Sequence, residues 1–372
     1  MRNSGISKEI FNNDLINKIA NQLKISFVEF EHQKFITKAS SFDESLGLKE
    51  RANIITEALI EFLPNDYRTS AHILKSTFEP IQNNNNNWNN FLYMPYAIYV
   101  ERKGCTKEHL ELSYDLLKEI TKRFTSEFAI RSFLVNFPVS TFKVLNKWAR
   151  DHDFRVRRLA SEGCRPRLPW AKEIKAFNKN PYPCIELLQI LRNDDSKYVQ
   201  KSVANHMNDI SKNNPKIAMK VLSQWKKEDN HNTNWIVKHA LRTELKKGNP
   251  EALKLQGYSL SPKIKISKFD LSPKKIKIGD SIKLSFTIFN SGQKTEKLLI
   301  DYVCYFMKLN GKTAPKTFKI SVKKLMKGES TTINKLHSFK PISTRKFHQG
   351  KHTIALFING KLCNEKSFEL IG

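Results

Sequence analysis

Val156-Arg157-Arg158-Leu159-Ala160 is answered 43 residues later by Val199-Gln200-Lys201-Ser202-Val203, and 37 residues after that by Ile236-Val237-Lys238-His239-Ala240. Each copy has apolar residues at both ends and a basic residue at its centre. Each also follows a helical stretch that opens near a proline: Pro138, then Pro181 or Pro183, then Pro215. A helix pair that repeats in this way buries its apolar face only against its neighbours, so the pattern predicts an α-solenoid with a period of roughly 40 residues.

Outward from these copies, apolar residues recur at helical spacing from about Ser7 to Gln256, interrupted by Pro, Asn and Asp clusters. Leu59, Ile60 and Leu63 form one core-facing stripe, and Leu112, Leu116, Leu117 and Ile120 another. The architecture expected is HEAT-like, with the second helix of each pair lining one concave surface. In that register Arg158, Lys201 and Lys238 are equivalent, a row of cations suited to a phosphate backbone. Asn205 aligns with Glu162 and becomes a candidate polar contact, and Trp235, opening a basic helix, a candidate groove residue.

Near Gly257 the texture changes. Ile282, Leu284, Phe286 and Ile288 alternate with polar residues, as do Ile354, Leu356 and Ile358, and Asn310-Gly311 and Asn359-Gly360 supply hairpin turns. Seven or so strands predict an immunoglobulin-like β-sandwich. The fold class expected is therefore mainly α: a HEAT-like α-solenoid over residues 1–256, then a small all-β immunoglobulin-like sandwich over 257–372. From Gly257 onward 23 Lys plus Arg face 7 Asp plus Glu, a net +16, which marks the sandwich as a probable accessory surface for the same polyanion.

The whole chain of 372 residues carries +28. So basic a surface favours a polyanionic partner, although runs such as Asn83–Asn87 and the Lys excess also fit simple compositional bias. The five cysteines contain no C-x-x-C pair, so neither a disulfide framework nor a metal site is expected from their spacing. The longest apolar stretch, Phe91 to Val100, holds Pro95 and is too short to span a bilayer, and the N-terminus lacks an apolar core. A cytoplasmic monomer without membrane, metal or cofactor is the expectation.

Arginine is scarce and clustered: five of 15, at 155, 157, 158, 165 and 167, fall in FRVRRLASEGCRPRLPWA, Phe154 to Ala171. On a helix from Phe154 to Glu162, Val156, Leu159 and Ala160 face inward while Arg155, Arg158 and Glu162 share another side. Gly163, Pro166 and Pro169 end it and aim Arg165, Arg167 and Trp170 outward. A bland reading pairs Arg158 with Glu162 at i,i+4 and buries Trp170 as filler. The second acid, Glu127 in FTSEFAIRSFL, sits in a first helical turn and is placed by the bland reading against Arg131. His206 reads as a packing histidine, Asp209 as a possible third acid, and Trp148 and Trp225 as core.

RFTSEFAIRSFL (Arg123 to Leu134), VRRLASEGCRPRLPWA (Val156 to Ala171), YVQKSVANHMNDISK (Tyr198 to Lys212) and NWIVKHALRTELKKGNPEAL (Asn234 to Leu253) resemble, in order, the AlkC-type branch of the alkylpurine DNA glycosylases. Two departures stand out: the Asn83–Asn90 stretch, read as a loop of this chain's own, and Cys164 where a threonine is expected. The resemblance implies base excision repair of double-stranded DNA with alkylated bases, by hydrolysis of the N-glycosidic bond of cationic purines, chiefly 3-methyladenine. It assigns Glu127 and Glu162 to catalysis, Trp170 to the damaged nucleotide, and Arg158, Arg165, Arg167, Lys201, Lys238 and Arg242 to phosphates. The alternative is a non-catalytic HEAT-repeat scaffold for nucleic acid or an acidic protein. Acids inside a cationic groove distinguish the two, since in a pure binder they would repel phosphate.

Overall fold

The computed structural model describes residues 10–43, 45–81 and 88–372. The Asn83–Asn87 part of the expected loop lies outside them. Sixteen α-helices are found among the described residues, from Asn13–Ser26 to Pro250–Leu255, followed by eight strands. No helix among them is long and apolar enough to cross a membrane.

The repeat register is realised helix by helix. Pro138–Trp148 precedes Phe154–Gly163, Tyr182–Leu191 precedes Lys197–Asn213, and Pro215–Lys226 precedes His231–Ala240. Proline opens these leading helices because its missing N–H would be unpaired there in any case. In the first two pairs the partners pack on each other, and Phe154–Gly163 packs on both Tyr182–Leu191 and Lys197–Asn213. The first pair and the second thus cover each other's apolar faces, as neighbours in a solenoid do.

The chain folds into two compact units, residues 1–214 with 229–236, and residues 215–228 with 237–372. Packing thus groups the last helices with the strands, although the change of texture does fall at Gly257, just after the final helix ends at Leu255.

In the second unit the strands are β1 (Ile264–Ser272), β2 (Lys275–Lys277), β3 (Ser281–Asn290), β4 (Glu296–Met307), β5 (Thr313–Leu325), β6 (Ser330–Ser338), β7 (Gly350–Ile358) and β8 (Lys361–Ile371). One sheet runs β1-β3-β6 and the other β2-β8-β7-β4-β5. The expected alternation holds, since Ile282, Leu284, Phe286, Ile288, Ile354, Leu356 and Ile358 are all buried in one core. The turn Asn359-Gly360 has both residues at positive φ, 47° and 75°, as a primed hairpin needs. It also docks this unit's helices: a Cβ on Gly360 would sit 2.6 Å from the Gly248 Cα, so backbone meets backbone there. Leu253 and Tyr258 close the seam against Leu299.

Candidate active site

Asp153 starts the Phe154–Gly163 helix by accepting the Arg155 backbone N–H at 2.8 Å. Val156, Leu159 and Ala160 are fully buried, as their spacing implies. Gly163 ends the helix where a Cβ would lie 2.5 Å from Ile130 Cγ2, so only glycine lets the two helices approach. This turns the last helical turn, with Glu162, into the packed region under the Lys197–Asn213 helix.

Glu162 is the centre of an alternating line of charges. Arg165 Nη1 donates to its Oε1 at 2.5 Å, Arg158 Nη2 lies 3.5 Å from the same oxygen, and Ser202 Oγ donates to Oε2 at 2.6 Å. Arg158 also pairs with Glu127 through Nη1, and its guanidinium stacks 4.9 Å from the Tyr198 ring centre. Arg165 turns its remaining edge to Asp209, with Nε at 2.8 Å and Nη2 at 2.7 Å from Oδ2, and Lys212 closes the line at 3.0 Å from Oδ1. The order is Glu127, Arg158, Glu162, Arg165, Asp209, Lys212. Burial opposes the ionisation of Glu162, but the charges of Arg158 and Arg165 and the Ser202 hydrogen bond outweigh it and hold the carboxyl below its ordinary value. Burial likewise works against Arg158 and Arg165, and the facing carboxylates more than offset it.

Glu127 differs in one respect. Its Oε2 takes Arg158 and the Thr125 hydroxyl, at 3.1 Å for the latter, while among the described residues Oε1 keeps no hydrogen-bond partner. Glu127 thus retains lone pairs for a further donor.

Trp170 is 86% exposed and sits at φ 64°, a strained backbone for an indole-bearing residue. Lys49 holds it from far away in the chain: Nζ donates to the Trp170 carbonyl oxygen at 2.5 Å and lies 4.2 Å from the Phe128 ring centre. Elsewhere, a cleft of about 310 Å³ opens at the Glu127 end of the line of charges, lined by Phe91, Arg123, Thr125, Phe154, Arg158 and Tyr198.

Several expectations need correcting. Arg165 is not an outward cation: it is 6% exposed and spent on Glu162 and Asp209. Arg158 is half-buried, bound to the carboxylates of Glu127 and Glu162, and lines an open cleft. Arg131 does not pair with Glu127; it is buried and donates to the carbonyl oxygens of Gly163, Arg165 and Lys172 at 3.0, 2.7 and 2.7 Å. Trp170 is no core filler. Arg167 and Lys201 are exposed, Arg167 touching Glu173 and Asn213. Asn205 is half-buried on the Lys197–Asn213 helix, and the Trp235 ring receives Lys197 at 5.5 Å. Lys238 is exposed and Arg242 half-buried, both within the second compact unit. Trp148 and Trp225 are core, as their spacing implies.

Lys49, Tyr198 and Ser202 escaped the sequence reading. Only Ser202 carried a signal, standing in the repeat copy beside Lys201. The described residues also bring together one set of groups able to hold a metal ion: Cys164, Cys184 and His206, all buried.

Residues 265–372 match the family described as "Uncharacterised protein YhaZ, C-terminal Ig-like domain". Over 364 residues the chain is 37% identical to the YhaZ protein of Bacillus subtilis strain 168, covering 98% of this chain and 99% of that one. Among solved structures it matches the alkylpurine DNA glycosylase AlkC of Pseudomonas fluorescens, bound to DNA containing an abasic site analog. That match has a TM-score of 0.90 at 33% identity and covers 98% of this chain and 99% of the other.

Proposed function

This chain belongs to the AlkC-type alkylpurine DNA glycosylases that end in an Ig-like domain, and from that membership we propose that it releases cationic alkylated purines, 3-methyladenine foremost, from double-stranded DNA. The observation that carries the reading is the line of charges, which holds Glu127 and Glu162 in unequal environments. Glu162 is buried, ionised and saturated by Arg158, Arg165 and Ser202. Glu127 keeps one oxygen open.

A purine alkylated at N3 already bears positive charge, so it departs as a neutral base and needs no general acid. The barrier lies in the electron-poor sugar left behind and in bringing water to it. A fixed carboxylate in a dry site stabilises such a cation without reorganising. Glu162 fills that role, since its partners hold it in place and keep it charged. Glu127 orients the water through Oε1, in the manner of a general base. Trp170 packs against the damaged nucleotide, and Arg167, Lys201, Lys238 and Arg242 hold the backbone phosphates. The DNA containing an abasic site analog that is bound to the Pseudomonas relative supports DNA as the partner.

The test is release of free 3-methyladenine from methylated duplex DNA. Glu162→Gln should lower the rate on the order of 100- to 1,000-fold while leaving DNA affinity within a few-fold. Wild-type rates in both Glu162→Gln and Glu127→Gln would overturn the assignment, and no release by the native chain would return the scaffold reading.

A further inference from the structure

Immediately after Glu162 the chain enters a cluster that the proposed chemistry does not use. The Cys164 and Cys184 sulfurs and a ring nitrogen of His206 lie within 4.8 Å of one another, and all three residues are fully buried. They come from three elements: the end of the Phe154–Gly163 helix, the Tyr182–Leu191 helix and the Lys197–Asn213 helix.

The histidine is pre-set. Nδ1 lies 2.9 Å from the Ser161 carbonyl oxygen, which can only accept, so the proton resides on Nδ1 and Nε2 presents a lone pair. Nε2 is buried without a hydrogen-bond partner, an arrangement with a real cost unless something occupies that lone pair. A backbone carbonyl on one ring nitrogen is also the usual way an imidazole is oriented toward a metal. The two thiols have weak partners only: Cys164 donates to Ala160 O at 3.1 Å and Cys184 to Cys164 O at 3.5 Å. Beside them stands the buried Arg131 guanidinium, held by Gly163 O and Arg165 O.

From this geometry we infer that Cys164, Cys184 and His206 form a binding site for a thiophilic d10 metal ion, a staple joining the three helices behind the carboxylate centre. Metal–sulfur bonds of about 2.3 Å and metal–nitrogen bonds of about 2.0 Å put ligand atoms roughly 3.5–4 Å apart, so the cluster must close by about 1 Å at most. Two soft sulfurs and an imidazole select zinc or copper(I) over magnesium or calcium. Copper(I) is satisfied by three ligands, whereas zinc would need a fourth.

The full-length chain, expressed and purified without chelator under reducing conditions, is examined by native mass spectrometry and elemental analysis, then titrated with Zn²⁺ alone and with Cu(I) alone. One equivalent per chain is expected, with a rise in Tm on loading. A variant lacking the other half-buried thiols, Cys105→Ser with Cys363→Ser, should retain it. Cys184→Ser and His206→Gln should each lose at least tenfold in affinity. Should either variant fail to fold, X-ray absorption on the loaded native protein decides, with two sulfurs and one nitrogen expected around the metal. Failure of either metal to bind the folded native chain, a different ligand set, or a Cys164–Cys184 disulfide in the reduced preparation would overturn the inference. Because the readout is metal content, base-release activity stands or falls separately.

Discussion

Lys49 reaches across 121 residues of chain to hold the carbonyl oxygen of Trp170 at 2.5 Å. The tryptophan it holds is the one left-handed residue in the described part of the first compact unit apart from Asp229, and it is almost wholly exposed. A large apolar side chain on strained backbone, tethered from a distant helix, is costly to keep as mere structure.

Trp170→Ala and Trp170→Gly should therefore weaken DNA binding alike, since both remove the indole. Their stabilities should part. Glycine tolerates positive φ, so Trp170→Gly is expected to be more stable than Trp170→Ala by about 1 kcal/mol. Thermal melts with paired DNA titrations check this, and equal melts would show that the backbone strain is absent in solution.

Arg165 stands between two buried carboxylates, Glu162 and Asp209. Arg165→Met should cost about 3–5 kcal/mol, because each buried acid loses a counter-charge and keeps only one, Arg158 for Glu162 and Lys212 for Asp209. Adding Asp209→Asn should recover part of that loss by removing one stranded charge. Urea unfolding of the two singles and the double gives the coupling directly, and strict additivity would contradict the geometry.

Lys201 and Lys238 are exposed and standing in equivalent repeat positions. If each meets a phosphate, replacing either by Gln should flatten the dependence of log K on log salt by about 0.9, uniformly across DNA sequences. Groups of sandwich lysines replaced by Gln should act likewise. An unchanged slope would make the +16 of residues 257–372 compositional.

The sandwich should show a concealed pH dependence. Burial raises Asp301 to about 6, with Lys319 and Lys246 pulling the other way, so the folded state holds a proton that the unfolded state, at 3.8, releases. Stability from this group falls as pH rises from about 4 to 6. Burial, with Arg345 nearby, lowers His337 to about 4 against 6.5 unfolded, so its contribution rises with pH from about 4 to 6.5. Each is worth on the order of 2–3 kcal/mol and they nearly cancel. Compared with the native chain, the unfolding free energy between pH 4 and 6 should slope more upward in Asp301→Asn and more downward in His337→Gln.

The architecture was legible because burial is periodic: the prolines, the VRRLA-type copies and the alternating strand residues all report which side of a local element meets the core. Glu162 and Glu127 were singled out through resemblance together with their place beside arginines, and the structure brings both onto Arg158. What stayed hidden depends on contacts over long separations. Arg165 looked outward because it follows a helix end, yet Asp209, 44 residues on, draws it inward. Arg131 looked like the partner of Glu127 because i,i+4 spacing permits it, but three backbone carbonyls beyond the helix compete for the same guanidinium. Cys164, Cys184 and His206 have no ligand spacing, since three separate helices bring them together.

The bare contact between Gly248 and Gly360 bears on inheritance. With no side chain at either position, and with Leu253 and Tyr258 pressed on Leu299, the sandwich cannot be grafted from one relative to another at residue 257 without tearing its seam. The portable module begins with the helices that precede it. Chimeras that exchange the chain from residue 215 onward, and so carry the whole second unit, should express as soluble protein, whereas exchange of the strands alone leaves two mismatched halves of one joint.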